Sequence, residues 1–181
     1  MAVELITVYL TDAEQRIARW IGIQRNESNL KAGVTDARIA TDLSSERINI
    51  NGFAAEMAFG KMFNCYPDFA IQIQSGTPDC SLFGVMVDVK CTTCQYGKLL
   101  TAVTKTDVLA VDVYALMLVD HPSETTGVPA RYRFAGHAHR SLIIQPERID
   151  DLGHGPTYAM EQPTLIRHLA VPAAHRRVTG A

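Results

Sequence analysis

Two aspartates and a lysine fall within one short and otherwise mostly apolar stretch, Pro78-Asp79-Cys80-Ser81-Leu82-Phe83-Gly84-Val85-Met86-Val87-Asp88-Val89-Lys90. Burying an unpaired charge is costly, so these groups either face water on one side of a sheet or are gathered to hold something. If Phe83-Gly84 forms a two-residue hairpin turn, Asp79 lies directly opposite Asp88, and residues so opposed carry Cβ atoms about 4.5–5.5 Å apart. Strand alternation then puts Lys90 on the face of Asp88. Two carboxylates that close repel each other unless a proton or cation intervenes. A hard divalent cation such as Mg²⁺, which takes oxygen ligands and keeps several waters, suits the pair. Beside it, Lys90 could orient or activate a water, or offset charge building on a phosphate. The competing reading is an exposed cross-strand ion pair with no task.

A third acid, Glu56, stands in Gly52-Phe53-Ala54-Ala55-Glu56-Met57-Ala58-Phe59-Gly60, a charge in mid-helix among apolar residues. Glycine in a helix interior costs about 1 kcal/mol relative to alanine. Gly52 and Gly60, one turn to either side of Glu56 on the same face, therefore suggest a close approach to the helix there. Taken alone, Glu56 reads as a solvent-facing residue of an amphipathic helix.

The elements that must position these residues follow from spacing. Thr11 and Glu14 have the form of a capping box, and Ile17, Trp20 and Ile21 recur at helical spacing behind it, which predicts a helix over about residues 12–25. Ser44 or Ser45 opens a second helix over about 45–63, with Ile48, Phe53, Met57 and Met62 marking its apolar face. From Phe69 the period becomes strand-like: FAIQIQ, DCSLF, VMVDVKC and LLTAV, with a short helix over Lys105 to Leu109. VDVYALMLV, from Val111 to Val119, is the strongest buried-strand signal. A loop from His121 to Pro129 leads to a strand at Tyr132-Arg133-Phe134 ended by Gly136, and Pro146 to Leu152 fits a short helix. The order predicts one α/β domain over residues 1–181, built around a mixed sheet.

Pro78-Asp79 followed by Asp88-Val89-Lys90, after a helix bearing Glu56, resembles the PD-(D/E)XK nuclease superfamily. That group includes restriction endonucleases, Holliday-junction resolvases and phage recombination or repair nucleases. The likeness runs from about Asn51 to Val119, with the strand Tyr132 to Gly136 resembling an addition seen in resolvase-like and phage members. It implies a restriction-endonuclease-like core, α-β-β-β-α-β, a central mixed sheet flanked by helices, with an added strand and a C-terminal helix. It also implies that Asp79 and Asp88 ligate Mg²⁺ (or Mn²⁺) with the Val89 carbonyl. Glu56 would be a further ligand or act through a water, and Lys90 would position the attacking water. The implied reaction is metal-dependent hydrolysis of DNA phosphodiesters. Asp88 is shorter than the glutamate many members use, though aspartate is an accepted variant. The alternative is a non-catalytic nucleic-acid-binding or structural member of the same fold.

Thr92, Lys98, Lys105, Arg131 and Arg133 are candidates to line a nucleic-acid channel, where phosphate contacts supply most of the affinity. Residues 162–181 hold Arg167, Arg176, Arg177, His168 and His175 and no acid, a basic tail that is either merely solvated or an arm for a polyanion. Cys91-Thr92-Thr93-Cys94 has a spacing used for zinc or redox chemistry, but no second C-x-x-C exists, and buried free thiols are the ordinary reading. His137-Ala138-His139 could offer two imidazoles to a metal or a phosphate, against plain exposure at a strand end. The composition, 47% hydrophobic and 20% charged with net charge −2, is that of a globular protein and not of a polycation. No apolar run is long enough to span a bilayer, and the N-terminus, with Glu4 and no basic segment, does not read as a secretory signal. These features predict a cytoplasmic protein with reduced cysteines. Cutting both strands of a duplex would make a homodimer useful.

Overall fold

The computed structural model describes residues 5–33, 43–71, 77–105, 110–153 and 155–167. Strand β1 (Thr7–Tyr9) leads into helices α1 (Asp12–Lys31) and α2 (Ser45–Phe63). Then come β2 (Cys80–Leu82), β3 (Val85–Thr92), β4 (Leu99–Ala102), β5 (Val113–Val119), β6 (Arg131–His139), the single-turn helix α3 (Arg140–Ile143), β7 (Ile149–Asp151) and β8 (Pro156–Met160). The main sheet has the order β1-β6-β5-β3-β2, and a smaller sheet has the order β4-β8-β7. Only β3 and β5 run parallel, so the main sheet is mixed.

Local chemistry accounts for the two long helices. The Thr11 hydroxyl accepts the Glu14 N–H, and the Glu14 carboxylate accepts the Thr11 N–H, a complete capping box at the start of α1. Ser44 caps α2 through the N–H of Arg47, and Asn64 ends it in a left-handed conformation at φ 53°. α1 runs beyond the expected boundary near residue 25, and its inner face differs from the expected one. Ala18, Ile21, Gly22 and Arg25 are buried, whereas Ile17 and Trp20 are 45% and 58% exposed. The two helices meet at Gly22, where an added Cβ would lie 2.5 Å from the Ile50 Cα. Of the two α2 glycines that suggested a close approach, Gly52 borders open space, whereas Gly60 is closely approached, an added Cβ lying 2.7 Å from the Cys65 carbonyl oxygen.

α2 lays Phe53, Ala54, Ala58 and Phe59 on one face of the main sheet, against Val87, Val89, Ala115, Met117, Tyr132 and Phe134. Leu99, Met160, Ile143 and Leu165, from the small sheet, α3 and the chain after β8, cover Tyr114, Leu116 and Leu118 on the other. Every residue of β5 is buried, as a strand covered on both faces requires.

Several expected elements are corrected. Phe69 to Ile71 form no strand, and the rest of FAIQIQ lies outside the described residues. β6 continues through Gly136 to His139, with a register shift opposite Leu116/Met117 that accommodates it. Pro146–Arg148 is only a 3₁₀ turn before β7, because Pro at an early position suits such a turn as well as a helix. A 3₁₀ turn covers Val103–Lys105, and residues 106–109 of the expected short helix lie outside the described residues. Residues 146–152 thus supply no C-terminal helix; the described chain after β8 holds a 3₁₀ turn, Gln162–Thr164, and residues 168–181 lie outside the description. Mixed α/β class, with a mixed sheet, stands.

Candidate functional site

The hairpin turn is where the sequence puts it. Phe83 and Gly84 both have positive φ, 53° and 82°, the pattern of a type I′ turn whose twist matches its strands. Cys80 pairs with Val87, Ser81 with Met86 and Leu82 with Val85. One residue further the ladder changes. The Asp79 N–H donates to the carbonyl of Val87, the residue already opposite Cys80, so the strand bulges there. The Asp79 carboxylate then turns to accept the Val89 N–H at 2.6 Å. Asp79 therefore lies at the end of β2, beside the edge of β3, and not squarely across from Asp88.

This bulge sorts the charged groups by face. On β3, Val87, Val89 and Cys91 point toward α2, while Asp88, Lys90 and Thr92 share the opposite face with their neighbours on β5, Tyr114, Leu116 and Leu118. Asp88 is buried and pairs with Lys90 at 2.6 Å. Glu56 arrives from α2, on the other side of the sheet, and is buried too. Asp79, at the strand end between the faces, feels Glu56, Asp88 and Lys90 alike. In an extended strand the N–H and C=O of one residue point to the same edge. The Val89 carbonyl is thus directed, like its N–H, to the side of β3 where Asp79 lies.

The electrostatics follow from this crowding. Burial first, then Glu56 and Asp88, hold the Asp79 carboxyl well above the usual carboxylate range, against Lys90 and the Val89 N–H. Burial drives Glu56 up to about 7 in spite of Arg25, with Asp88 adding to the rise. For Lys90 burial acts against the charge, yet Asp88 and Asp79 raise its pKa above the ordinary lysine value. Burial, with Glu56 nearby, pushes the Cys91 thiol up to about 12.

The sequence reading missed Arg25. Its Nη1 donates to both oxygens of Glu56, at 3.0 and 2.9 Å, its Nη2 to the Asp68 carbonyl at 2.6 Å and its Nε to the Ala70 carbonyl at 3.3 Å. The guanidinium also stands 4.6 Å from the centre of the Phe53 ring. Asp68 in turn donates its N–H to the Asp79 carbonyl, so one arginine ties α1, the segment after α2 and the start of the hairpin to Glu56. The signal was available: Ala18, Ile21, Gly22 and Arg25 form a helical stripe, and the charge that ends it is buried.

Among the described residues no group of three or more His, Cys, Asp or Glu side chains is placed to hold a metal ion. Asp79, Asp88 and the Val89 carbonyl nonetheless offer hard oxygen donors at a site that accumulates negative charge. Mg²⁺ commonly takes one or two carboxylates, the rest being water and substrate, so the donor set fits it. Glu56 is held by Arg25 and fits a water-mediated place better than a direct one.

The remaining candidates divide. Thr92 shares the face of Lys90, and through Leu118 that of Arg133. Arg131 and Arg133 both pair with Asp120, at 3.4 and 3.3 Å. Lys98 is engaged by Glu161 at 2.9 Å and Asp150 at 3.8 Å. The Lys105 side chain, with His168, His175, Arg176 and Arg177, lies outside the described residues. Cys91 packs beneath α2 while Cys94 is exposed on the following turn. The thiols in contact are instead Cys65 and Cys80, 3.6 Å apart. His137 is buried, not exposed, stacked near Phe134 and edge-on to the exposed His139 at 5.8 Å between ring centres. No described helix is long and apolar enough to cross a membrane.

These features define a mixed α/β protein with a partly buried, multiply charged cluster at the β2 side of its main sheet. Residues 2–175 match the model of a family described as a family of unknown function, DUF5843, and the chain belongs to that family. No curated protein and no solved structure matches it.

Proposed function

We propose that the protein is a metal-dependent nuclease of PD-(D/E)XK type that hydrolyses DNA phosphodiester bonds. The observation that carries this reading is the meeting of Asp79, Asp88, Lys90 and Glu56 at one strand end, with the Val89 carbonyl directed to the same side. Arg25 gives Glu56 a structural partner, but gathering Asp79, Asp88 and Lys90 beside it adds no evident stability, since an apolar cluster would be at least as stable. The finer architecture belongs to the same proposal: α2, the β2–β3 hairpin and the buried β5 correspond to the first helix and central strands of a restriction-endonuclease-like core.

In this reading Asp79, Asp88 and the Val89 carbonyl would hold Mg²⁺, which would supply Lewis-acid stabilisation of the phosphate and lower the pKa of a water. Lys90, held by Asp88, aims its ammonium at the attacking water and the scissile phosphate. Water attacks phosphorus in line with the departing oxygen and gives up its proton to surrounding water, and as the P–O bond to that oxygen breaks the departing oxygen takes a proton from surrounding water. Arg25 fixes the orientation of Glu56, which orders water beside the acids.

One observation favours a second reading, a non-catalytic nucleic-acid-binding or structural protein of the same fold: Glu56 is already neutralised by Arg25 at 2.9 Å. Incubation with supercoiled, single-stranded and branched DNA in Mg²⁺, Mn²⁺ or EDTA separates the two. We expect cleavage that EDTA abolishes and that Lys90→Ala reduces by roughly 10²–10³-fold, the usual cost of losing one donor that stabilises developing charge. Failure to cut any substrate sinks the nuclease reading, as does cleavage indifferent to Lys90. Cutting both strands of a duplex would call for two copies of the chain, and sedimentation with and without duplex tests that.

A further inference from the structure

A second site lies beyond the carboxyl ends of the parallel strands β3 and β5. It is a cavity of about 740 Å³ bounded by Arg47 and Asn51 of α2, Thr93 after β3, Asp120 after β5, and Arg131 and Arg133 of β6. Its size is that of a small-molecule site, about 300–1,000 Å³. Three guanidinium groups and one carboxylate line the cavity. Arg131 and Arg133 take one oxygen each of Asp120, and Arg47 donates to the Gly127 carbonyl. A guanidinium has five N–H donors, so these contacts leave donors over, and the wall is positive on balance.

Two buried polar atoms on residues that line this cavity have no hydrogen-bond partner among the described residues: the Asn51 side-chain oxygen and the Arg133 Nε. Buried polar groups are ordinarily satisfied. An unmet amide oxygen and an unmet guanidinium N–H, on residues that line one cavity with surplus positive charge, match a ligand that is anionic at one end and carries donors and acceptors at the other. A phosphate fits the arginines, and a nucleobase edge fits an asparagine amide, which can present oxygen or nitrogen to it.

We propose that this cavity seats one nucleotide, its phosphate on Arg131 and Arg133 and its base against Asn51. Thr93 is three residues past Lys90, about 10 Å along the strand at 3.3 Å per residue, and Arg133 shares the sheet face of Lys90 through Leu118. A strand with one nucleotide held here would run on toward the acid cluster. The assignment of that nucleotide to a nucleic-acid strand rests on the nuclease reading; the cavity's preference for a nucleotide does not.

Fluorescence anisotropy in EDTA, where cleavage plays no part, tests both. The probes are a labelled single-stranded oligonucleotide, with unlabelled nucleoside monophosphates and inorganic phosphate as competitors. We expect Arg133→Gln to weaken oligonucleotide binding about tenfold or more and to flatten its salt dependence by about one phosphate contact, a slope change near 0.7. Arg133→Lys should recover part of that loss, and Asn51→Ala should weaken binding with the salt slope unchanged. Thermal melts of each variant establish that it is folded. Wild-type affinity in folded Arg133→Gln and Asn51→Ala overturns the proposal even if the protein cuts DNA. Competition by inorganic phosphate as strong as by a monophosphate, with no effect of Asn51→Ala, overturns the base contact and with it the nucleotide. If binding is lost in both variants while the wild type cleaves nothing, the nucleotide site stands and the nuclease reading falls. Monophosphates that match the oligonucleotide in affinity also support the site and make a free nucleotide its ligand.

Discussion

The residue on which the cluster turns is Glu56, because it is the one whose charge the protein both needs and resists. Its carboxyl titrates near 7 in the folded chain, chiefly through burial, against an ordinary value of 4.5. Between those values the folded state holds a proton that the unfolded state has released. Glu56 therefore favours folding at acid pH, and that benefit is lost as the pH rises through about 7. In EDTA, the stability of the wild type relative to Glu56→Gln should fall by on the order of 3 kcal/mol from about pH 4.5 to about pH 7.5. Denaturant unfolding of the two proteins across that range measures it, and a difference that rises with pH contradicts the buried cluster described above. Asp79, raised for the same reasons, adds a slope of the same sign to both proteins. Arg25 is the counterpart. Removing the charge of one member of a buried ion pair costs roughly 3–5 kcal/mol because the other is stranded, so Arg25→Met should lower stability by that amount. Arg25→Met combined with Glu56→Gln should recover most of it, and additive losses in that cycle would mean that the 2.9 Å contact carries no coupling.

At the scale of elements, the two glycines flanking the helix pair make opposite predictions. Gly22 faces the Ile50 backbone with no room for a methyl group, whereas Gly52 sits in a helix interior with nothing within 4 Å of where its Cβ would be. Gly22→Ala should destabilise by roughly 1–3 kcal/mol through overpacking. Gly52→Ala should stabilise by up to about 1 kcal/mol through helix propensity, and equal shifts in the two thermal midpoints would contradict the packing of α1 on α2. The same pair explains what the sequence could and could not tell. α2 was legible to both ends because Ser44 caps it and its apolar spacing is regular, and the hairpin was legible because Phe83-Gly84 separates two alternating strands. The bulge at Asp79 was not, since alternation assumes an unbroken ladder and nothing in Pro78-Asp79-Cys80 marks an extra residue. The inner face of α1 was misjudged because Ile17 and Trp20 outweigh Ala18, Gly22 and Arg25 on any scale of hydrophobicity, yet the small residues are the ones that let α2 approach. LLTAV was legible as β4, whereas β1, β7 and β8, three to five residues each, are too short for a period to register. What joins them is pairing between distant segments.

For the molecule as a whole, β5 is the link between its two halves. One side of that strand, with Ala115 and Met117, belongs to the core under α2, and the other, with Tyr114 and Leu116, to the core under the small sheet. Neither core can lose β5 without exposing the other, so the two should melt together in spite of their separate coverings. Two tyrosines report on them independently, because Tyr132 is fully buried in the first core and Tyr114 in the second. Near-ultraviolet circular dichroism of Tyr132→Phe and Tyr114→Phe, each compared with the wild type, isolates the signal of each core. Both signals should disappear at one denaturant midpoint that coincides with the far-ultraviolet transition. Two midpoints would mean that the small sheet and α3 fold as a separate layer. The outcome bears on the site as well. Asp88 and Lys90 lie on the face that the small sheet covers, whereas Glu56 comes from the helical face. Only a molecule in which both layers are held on β5 at once can keep all four charged groups together at the end of β2.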